Sequence, residues 1–311
     1  MGVIFVPDDN DRSSGMKWRK AFKKYFPDMP YLEWPIHQKE LGIGYAIVWN
    51  PPSSIWALLP NLHTLFVLGA GVDFVLQQKL PPNVKVVRLL DAGMAKPMAT
   101  YVLFASLFFQ RSFDKYQRYQ AQKQWRPLDY TSPKEWPIGV MGLGIIGRQV
   151  ASTLMDNNFP VVGWSRTAKP NLTYDVFSGS GELSQFIANI RILVNVLPLT
   201  SSTRGIINSR LLYQMKPGGY LINIGRGATI NEKELSQAIN SGHLGGAFLD
   251  VFSEEPLSSD SPLYDYPQVV ITPHVAAPTV FEEAVNQIMN NIRLIEAGAS
   301  PKGLVDREQG Y

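Results

Sequence analysis

The chain has 311 residues, of which 45% are hydrophobic and 18% are charged, and its formal net charge is +3. This length exceeds a typical single core and predicts two domains, while the small, scattered positive charge disfavours nucleic-acid binding. There is no cysteine, which excludes disulfides and thiolate metal sites. No signal peptide and no membrane-spanning run is apparent. We therefore expect a cytoplasmic protein with no metal, membrane or nucleic-acid partner.

The first hundred residues alternate short apolar runs with helical patterns, which indicates a small α/β unit. Strands are predicted at residues 3–6, 45–49, 64–68 and 84–89, and helices at 16–26 and 55–59. A long helical pattern without glycine then covers about residues 97–125, and Pro97 suits its first turn. Such a helix could join two domains and extend onto a second subunit. Residues 125–137 contain three prolines and predict a surface linker.

A second α/β unit is predicted from Ile138 onward, with helical patterns between its strands, as in a doubly wound parallel sheet. Its strands are predicted at residues 138–141, 161–164, 192–196, 220–224, 247–251 and 269–272. A last helix is predicted over about residues 280–297. If that helix packs on the first domain, the chain crosses between the domains twice, and we expect the substrate cleft between those crossings.

Three polar residues, Arg226, Glu255 and His274, each follow a short apolar run in the last third of the chain. Such runs are typical of strands buried on both faces of a parallel sheet, and ligands bind beyond the carboxyl ends of these strands. A cation, a carboxylate and an imidazole that converge there can bind an anion and move a proton near neutral pH. The sequence therefore predicts an active site at that edge.

A glycine pattern, G-x-G-x-x-G, is formed by Gly142, Gly144 and Gly147 between a predicted strand and a helical stretch. The first glycine makes a tight turn, the second lets a pyrophosphate approach the backbone, and the third lets helix and strand pack closely. The phosphates would lie at the helix N-terminus. A plain glycine turn is the alternative, but the strand before the pattern and the βα units after it favour dinucleotide binding.

The end of the next predicted strand indicates which dinucleotide is bound. NAD enzymes usually carry Asp or Glu about 20 residues after the glycine pattern, where it binds the ribose 2′-hydroxyl. Here the segment is Trp164-Ser165-Arg166-Thr167-Ala168-Lys169, which has hydroxyls and two cations but no acid. The planar guanidinium of Arg166 could bind a 2′-phosphate that a carboxylate would repel. We therefore predict a preference for NADPH over NADH, with a solvated basic loop as the alternative.

With these motifs together, the chain resembles the D-isomer-specific 2-hydroxyacid dehydrogenases, and within them the glyoxylate/hydroxypyruvate reductase A branch. The matching segments occur in family order between about residues 45 and 280: 68–73, 142–147, 195–200, 223–227, 249–256 and 272–277. The resemblance implies an α/β fold of two Rossmann-like doubly wound domains. A flavodoxin-like substrate domain would comprise residues 1–98 and 275–311, and an inserted NAD(P)-binding domain would comprise residues 99–274.

The resemblance also implies the activity, which is the reduction of small 2-oxo acids such as glyoxylate and hydroxypyruvate to glycolate and D-glycerate. It implies a homodimer formed through the helix predicted at residues 97–125. Two alternatives remain open. One is a reductase of a bulkier 2-oxo acid such as phenylpyruvate, and the other is a dinucleotide-sensing corepressor on the same scaffold, against which the lack of long tails and basic patches argues.

Under this hypothesis Arg226 binds the substrate carboxylate or carbonyl oxygen with its planar fork. His274 protonates the oxygen as charge develops there, a task that suits an imidazole. Glu255 hydrogen-bonds the far ring nitrogen and holds the tautomer; Glu254 is the rival for this role, but the position just before proline matches the family. The other histidines, His37, His63 and His243, are interpreted as surface or structural.

Asp250 is expected to face the nicotinamide carboxamide, or instead to cap a loop. Trp49 and Met94 are expected to line the substrate pocket, although Trp49 could equally be a core residue. A backbone nest that binds the substrate carboxylate is predicted at Gly69, Ala70 and Gly71, with a structural glycine turn as the alternative. The remaining predicted cofactor contacts are Leu143, Ile145, Ile146, Val196, Leu197, Pro198, Thr203, Ile224, Gly225 and Ala276.

Overall fold

The computed structural model describes residues 1–7 and 14–311. The chain divides into two compact units, which we call unit 1 (Met1–Gly93 and Thr279–Tyr311) and unit 2 (Met94–Pro278). The junctions therefore fall a few residues away from the boundaries expected at 98/99 and 274/275. Among the described residues, no helix combines the length and the apolar character that crossing a membrane requires.

The first segment of unit 1 alternates strands and helices around a five-stranded parallel sheet of order β2-β1-β3-β4-β5. Its elements are β1 (Gly2–Val6), α1 (Ser14–Tyr25), β2 (Tyr31–Glu33), β3 (Ile43–Val48), α2 (Ile55–Leu58), β4 (Thr64–Val67), α3 (Asp73–Leu76) and β5 (Lys85–Arg88). The predicted strands and helices are confirmed with small shifts at their ends. The short elements β2 and α3 were not predicted, because three or four residues carry too little periodicity.

Unit 2 begins with two helices and continues as a doubly wound sheet of seven parallel strands, in the order β12-β11-β10-β9-β6-β7-β8. Its elements are α4 (Ala95–Gln110), α5 (Phe113–Ala121), β6 (Ile138–Met141), α6 (Ile145–Asp156), β7 (Val161–Ser165), β8 (Val176–Ser178), α7 (Leu183–Ala188), β9 (Ile192–Asn195), α8 (Ser209–Leu212), β10 (Gly219–Asn223), α9 (Glu232–Asn240), β11 (Leu244–Leu249) and β12 (Val269–Ile271). The last helix, α10 (Phe281–Glu296), belongs to unit 1 and packs on α1.

The order of the unit 2 strands changes direction between β6 and β9. From β6 the chain first adds β7 and β8 on one side, and then adds β9 to β12 on the other. The carboxyl ends of strands at such a switch point open a crevice, because the connections on the two sides lead away from each other. Ligand binding is therefore expected beyond β6 and β9.

The prediction of one helix over residues 97–125 is wrong, because two helices occupy this segment. Helix α4 ends at Gln110, α5 begins at Phe113, and Ser112 between them has a left-handed backbone with φ of 57°. Neither glycine nor proline marks this break in the sequence. After the break, Phe113 turns back and stacks on Phe108 of α4, with ring centroids 6.2 Å apart.

Both faces of the unit 2 sheet are buried. On β10, Ile222 faces one hydrophobic cluster together with Phe109 of α4, whereas its neighbour Leu221 faces a second cluster together with Leu235 of α9. All of these side chains are fully buried. The strands therefore have no room for functional polar side chains within the sheet, and those side chains are confined to the loops at its edges.

Candidate active site

The glycine pattern forms the turn between β6 and α6, at the switch point of the sheet. Gly142 has φ of 110°, and a Cβ at this position would lie 3.0 Å from the carbonyl oxygen of Val196. A Cβ at Gly147 would lie 1.8 Å from the carbonyl oxygen of Gly142. Both positions therefore require glycine, the first for its backbone conformation and the second for close packing.

Gly144 has a different environment from the other two glycines. A Cβ there would meet no heavy atom within 4 Å, and the residue directly precedes the first turn of α6. The backbone amides of a helix N-terminus favour an anion in such a space. The open space in front of Gly144 therefore fits the pyrophosphate of a dinucleotide.

The turn after β7 presents cations to solvent. Ser165 is buried and its Oγ donates to the carbonyl oxygen of Thr167 at 2.8 Å, while Trp164 donates from Nε1 to the carbonyl oxygen of Gly179 at 2.9 Å. These bonds fix the base of the turn, beyond which Arg166, Thr167 and Lys169 are exposed. The segment fits an additional phosphate at this end of a dinucleotide.

A buried amide network supports the loops after β9 and β10. Asn195 donates from Nδ2 to Asn223 Oδ1 and to Thr229 Oγ1, at 2.8 Å in each case, and all three residues are fully buried. Thr229 in turn donates its hydroxyl to the carbonyl oxygen of Arg226. The network therefore fixes the backbone of Arg226. Sequence reasoning did not assign it, although asparagine as the last residue of two apolar strands was a usable signal.

The glycines beside Arg226 serve the packing of loops against each other. A Cβ at Gly225 would lie 2.7 Å from the carbonyl oxygen of Leu197, and one at Gly227 would lie 1.8 Å from the carbonyl carbon of Phe252. Neighbouring protein backbone therefore occupies the space beside both glycines. The loop of Arg226 is thereby packed directly against the loop that leads to Glu255.

Glu255 and His274 form a hydrogen-bonded pair, with Glu255 Oε2 2.8 Å from His274 Nδ1. Glu255 Oε1 accepts from the backbone amide of Phe252 at 2.9 Å. Burial alone would raise the pKa of Glu255, but these hydrogen bonds and the positive charges of His274 and Arg226 together lower it below its ordinary value. Arg226 therefore lies near enough to the Glu255–His274 pair for its charge to act on the carboxylate.

The pair also determines which nitrogen of His274 can act on a ligand. An ionised carboxylate only accepts hydrogen bonds, so Nδ1 carries a proton in this pair. The other ring nitrogen, Nε2, is then the atom that can donate a proton to a substrate. Glu255 rather than its neighbour Glu254 makes the contact.

Asp250 is 1% exposed and anchors the loop that carries His274. Its Oδ1 accepts from Thr272 Oγ1 at 2.7 Å and from the amide of Val275 at 2.8 Å, and its Oδ2 accepts from the amide of Ala276 at 2.9 Å. Its carbonyl oxygen accepts from the amide of His274, which has φ of 54°. This geometry corresponds to the loop-capping alternative for Asp250.

The residues predicted to bind substrate lie in both units. Trp49 follows β3 and Gly69 follows β4 in unit 1, and a Cβ at Gly69 would lie 2.9 Å from the Trp49 ring. Gly69 therefore makes room for an aromatic ring that is 36% exposed. Ala70 and Gly71 continue the same loop, whereas Met94 is buried at the start of α4 in unit 2.

The other predicted cofactor residues lie in the same row of loops beyond the unit 2 strands. Leu143, Ile145 and Ile146 belong to the turn after β6 or the first turn of α6. The remaining ones follow β9, β10 and β12: Val196, Leu197, Pro198 and Thr203; Ile224; and Ala276. Thr203 donates to the carbonyl oxygen of Pro198 at 2.6 Å and thereby closes the loop after β9.

Comparison with known proteins identifies the family. Residues 103–276, more than half of the chain, match the model of the D-isomer specific 2-hydroxyacid dehydrogenase NAD binding domain. The chain belongs to this family. The matched residues lie within unit 2.

Individual dehydrogenases of the family match over nearly the whole chain. A glyoxylate/hydroxypyruvate reductase A from Yersinia enterocolitica is 43% identical over 95% of this chain and 96% of its own. A dehydrogenase from Xanthobacter autotrophicus, solved in complex with NADPH and MES, superposes with a TM-score of 0.94 at 36% identity, covering 100% and 99% of the two chains. An NADPH-dependent glyoxylate/hydroxypyruvate reductase from Sinorhizobium meliloti, solved with NADP and sulfate, has a TM-score of 0.91 at 32% identity over 100% of both chains.

Two glycine substitutions separate the two uses of glycine in the turn after β6. We expect Gly147→Ala to destabilise the protein by about 1–3 kcal/mol or more, because its methyl group meets backbone. Gly144→Ala should cost about 1 kcal/mol or less. It should still weaken NADPH binding about tenfold or more, since its methyl group enters the open space. Urea unfolding measures the free energy of unfolding of each variant, and fluorescence titration with NADPH measures its affinity for the cofactor. Unchanged NADPH affinity in Gly144→Ala would contradict the placement of the pyrophosphate.

Proposed function

We propose that this protein is an NADPH-preferring reductase of small 2-oxo acids, with glyoxylate and hydroxypyruvate as substrates and glycolate and D-glycerate as products. The observation that carries the proposal is the His274–Glu255 pair, with the charge of Arg226 acting on Glu255, in the loops beyond the carboxyl ends of the sheet that carries the dinucleotide-binding turn. The family relationship supports it, because curated relatives at 40–43% identity over nearly their full length are glyoxylate/hydroxypyruvate reductases A.

In the proposed mechanism, NADPH, when bound, would supply a hydride for the C2 carbonyl of the substrate. The turn at Gly144 and the N-terminus of α6 hold its phosphates, and Arg226 binds the substrate carboxylate or carbonyl oxygen through its planar fork. His274 donates the proton on Nε2 to that oxygen as negative charge develops there. Glu255 keeps the ring oriented through its hydrogen bond to Nδ1.

The reaction is tested by following NADPH oxidation with a panel of 2-oxo acids that includes glyoxylate, hydroxypyruvate and phenylpyruvate. We expect turnover with the two smaller acids, and a fall in kcat of about 10²–10⁴-fold in His274→Asn, since general acid catalysis contributes that much. Asparagine adopts a left-handed backbone readily, so this variant removes the chemistry with little added strain.

His243→Asn is the matched control, because His243 lies in the same unit and its ring hydrogen-bonds to a backbone carbonyl group, that of Leu212, and not to a carboxylate. Turnover with phenylpyruvate alone would favour the bulkier-substrate alternative. Tight NADPH binding without turnover of any acid would favour the corepressor.

The preference for NADPH rests on the exposed cations after β7 and is supported by the NADPH and NADP bound to the similar solved structures. We expect Arg166→Ala to lower kcat/KM with NADPH by roughly 10–100-fold, because a hydrogen bond to a charged group contributes about 1.5–3 kcal/mol. The value with NADH should not change. Arg210→Ala, which removes an exposed arginine on α8, is the control; an equal loss with both cofactors would argue against a 2′-phosphate contact.

We also propose a homodimer that forms through α4 and α5. Phe104 and Phe113 are 59% and 53% exposed, and Leu107 and Tyr116 are exposed beside them. Contiguous apolar surface of this kind marks protein interfaces. In sedimentation velocity experiments we expect a dimer for the wild type and a monomer for Phe104→Lys. Tyr264→Lys, which changes an exposed ring elsewhere in unit 2, should remain dimeric.

The remaining assignments stay predictions. They comprise the cytoplasmic location and the substrate contacts of Trp49, Gly69, Ala70, Gly71 and Met94. The panel of 2-oxo acids bears on the substrate contacts indirectly, because the size of the accepted acids limits the size of the pocket.

A further inference from the structure

A chain of side-chain hydrogen bonds connects helix α4 to the loop that carries His274. The hydroxyl group of Tyr101 on α4 bonds to that of Thr272, and Thr272 Oγ1 donates to Asp250 Oδ1 at 2.7 Å. The carboxylate of Asp250 also accepts hydrogen bonds from the backbone amides of Val275 and Ala276. All of these residues belong to unit 2.

The carboxylate of Asp250, at the end of this chain of hydrogen bonds, determines which groups are donors and which are acceptors. Every group that bonds to the carboxylate oxygens of Asp250 is a donor, so Thr272 gives its one hydroxyl proton to Asp250. The oxygen of Thr272 can then only accept from Tyr101. Burial raises the pKa of the Tyr101 hydroxyl above its ordinary value, so this donor keeps its proton throughout the neutral range.

The ring of Tyr101 is itself held in place. It makes an edge-to-face contact with Phe248 of β11, with ring centroids 5.4 Å apart, and Phe248 is buried two residues before Asp250. The Tyr101 hydroxyl therefore bonds to Thr272 from a ring that packing holds in place. Through this bond, helix α4 fixes the position of the loop that carries His274.

The loop needs such support because its backbone is in a conformation that it would not adopt alone. His274 has φ of 54°, in the left-handed region, which is uncommon for residues other than glycine. The amide of His274 donates to the carbonyl oxygen of Asp250 at 2.8 Å. The next two amides, those of Val275 and Ala276, donate to the carboxylate of Asp250. A shift of Asp250 would therefore move His274 relative to Glu255.

We propose that Tyr101 and Thr272 are positioning residues for His274, which act through Asp250 to hold the imidazole against Glu255 in the orientation that proton transfer needs. This proposal rests on the proposed function, because it assumes that His274 is the proton donor. Neither residue touches the substrate in this role. They act by fixing the position of the His274 imidazole. A displacement of about 1 Å at a catalytic group can lower the rate by up to about 10²-fold.

The kinetic test compares Thr272→Val, Thr272→Ser, Tyr101→Phe and the double variant Tyr101→Phe/Thr272→Val. We expect Thr272→Val to lower kcat about tenfold, the effect of one lost hydrogen bond in a preorganised site, with KM for NADPH unchanged. Thr272→Ser should retain activity, and Tyr101→Phe should lose less than Thr272→Val. The double variant should be no worse than Thr272→Val, because Tyr101 acts only through Thr272.

A second readout does not depend on catalysis. Hydrogen exchange at the amides of Val275 and Ala276 should become about tenfold faster in Thr272→Val and Tyr101→Phe, as expected for the loss of one hydrogen bond. Ser106→Ala is the matched control, because it removes another buried hydroxyl from α4, one that bonds within the helix to the carbonyl oxygen of Val102. It should leave both exchange and kcat unchanged, and urea midpoints of all variants report any general loss of stability.

The outcomes separate the proposal from the function on which it rests. If the wild type reduces 2-oxo acids but the variants keep wild-type kcat, or if the two single losses add in the double variant, the positioning role is overturned. Faster exchange with unchanged kcat also overturns it. If the wild type reduces no 2-oxo acid while loop exchange rises in the variants, the proposed function fails and the role of Tyr101 and Thr272 in holding the loop stands.

Discussion

Burial of both faces of the unit 2 sheet is the constraint on which the site depends. Leu221 and Ile222, adjacent on β10, pack into hydrophobic clusters on opposite faces, so an apolar side chain is required at each position. A charged residue within the strand would lose its hydration without a partner. Function is therefore confined to the loops beyond the strand ends, where Arg226, Glu255 and His274 are found, and neighbouring parallel strands bring those loops together.

Close packing of backbone then sets the loops at fixed distances from each other. Gly147 packs on the carbonyl group of Gly142, and Gly227 packs on the backbone of Phe252, in both cases closer than any side chain permits. The buried hydrogen bonds of Asn195, Asn223 and Thr229 also hold the loops after β9 and β10 in place. Glycine contacts and uncharged amides therefore hold the loop of Arg226, whereas the carboxylate of Asp250 holds the loop of His274.

The sequence predicted the features that depend on local pattern. The parallel strands of unit 2 appear as apolar runs, and the glycine turn appears as a fixed spacing, since both are properties of adjacent residues. The helix break at Ser112 was missed because neither glycine nor proline marks it, although Ser112 has a left-handed backbone. The link from Tyr101 to Thr272 was missed because it joins residues 171 positions apart. The reason for Gly227 was likewise invisible, because its neighbour Phe252 lies on another strand's loop.

The connectivity of the two units has a consequence for biosynthesis. Unit 2 is one continuous stretch of chain, whereas unit 1 needs α10 and the strand-like contact of Leu304 with Val87 on β5. Domains fold as units while the ribosome releases the chain from its N-terminus. The N-terminal segment of unit 1 is therefore synthesised before unit 2, and α10 and Leu304 are synthesised after it. Before Leu304 is synthesised, the outer edge of β5 lacks this contact and is open to pairing with another polypeptide.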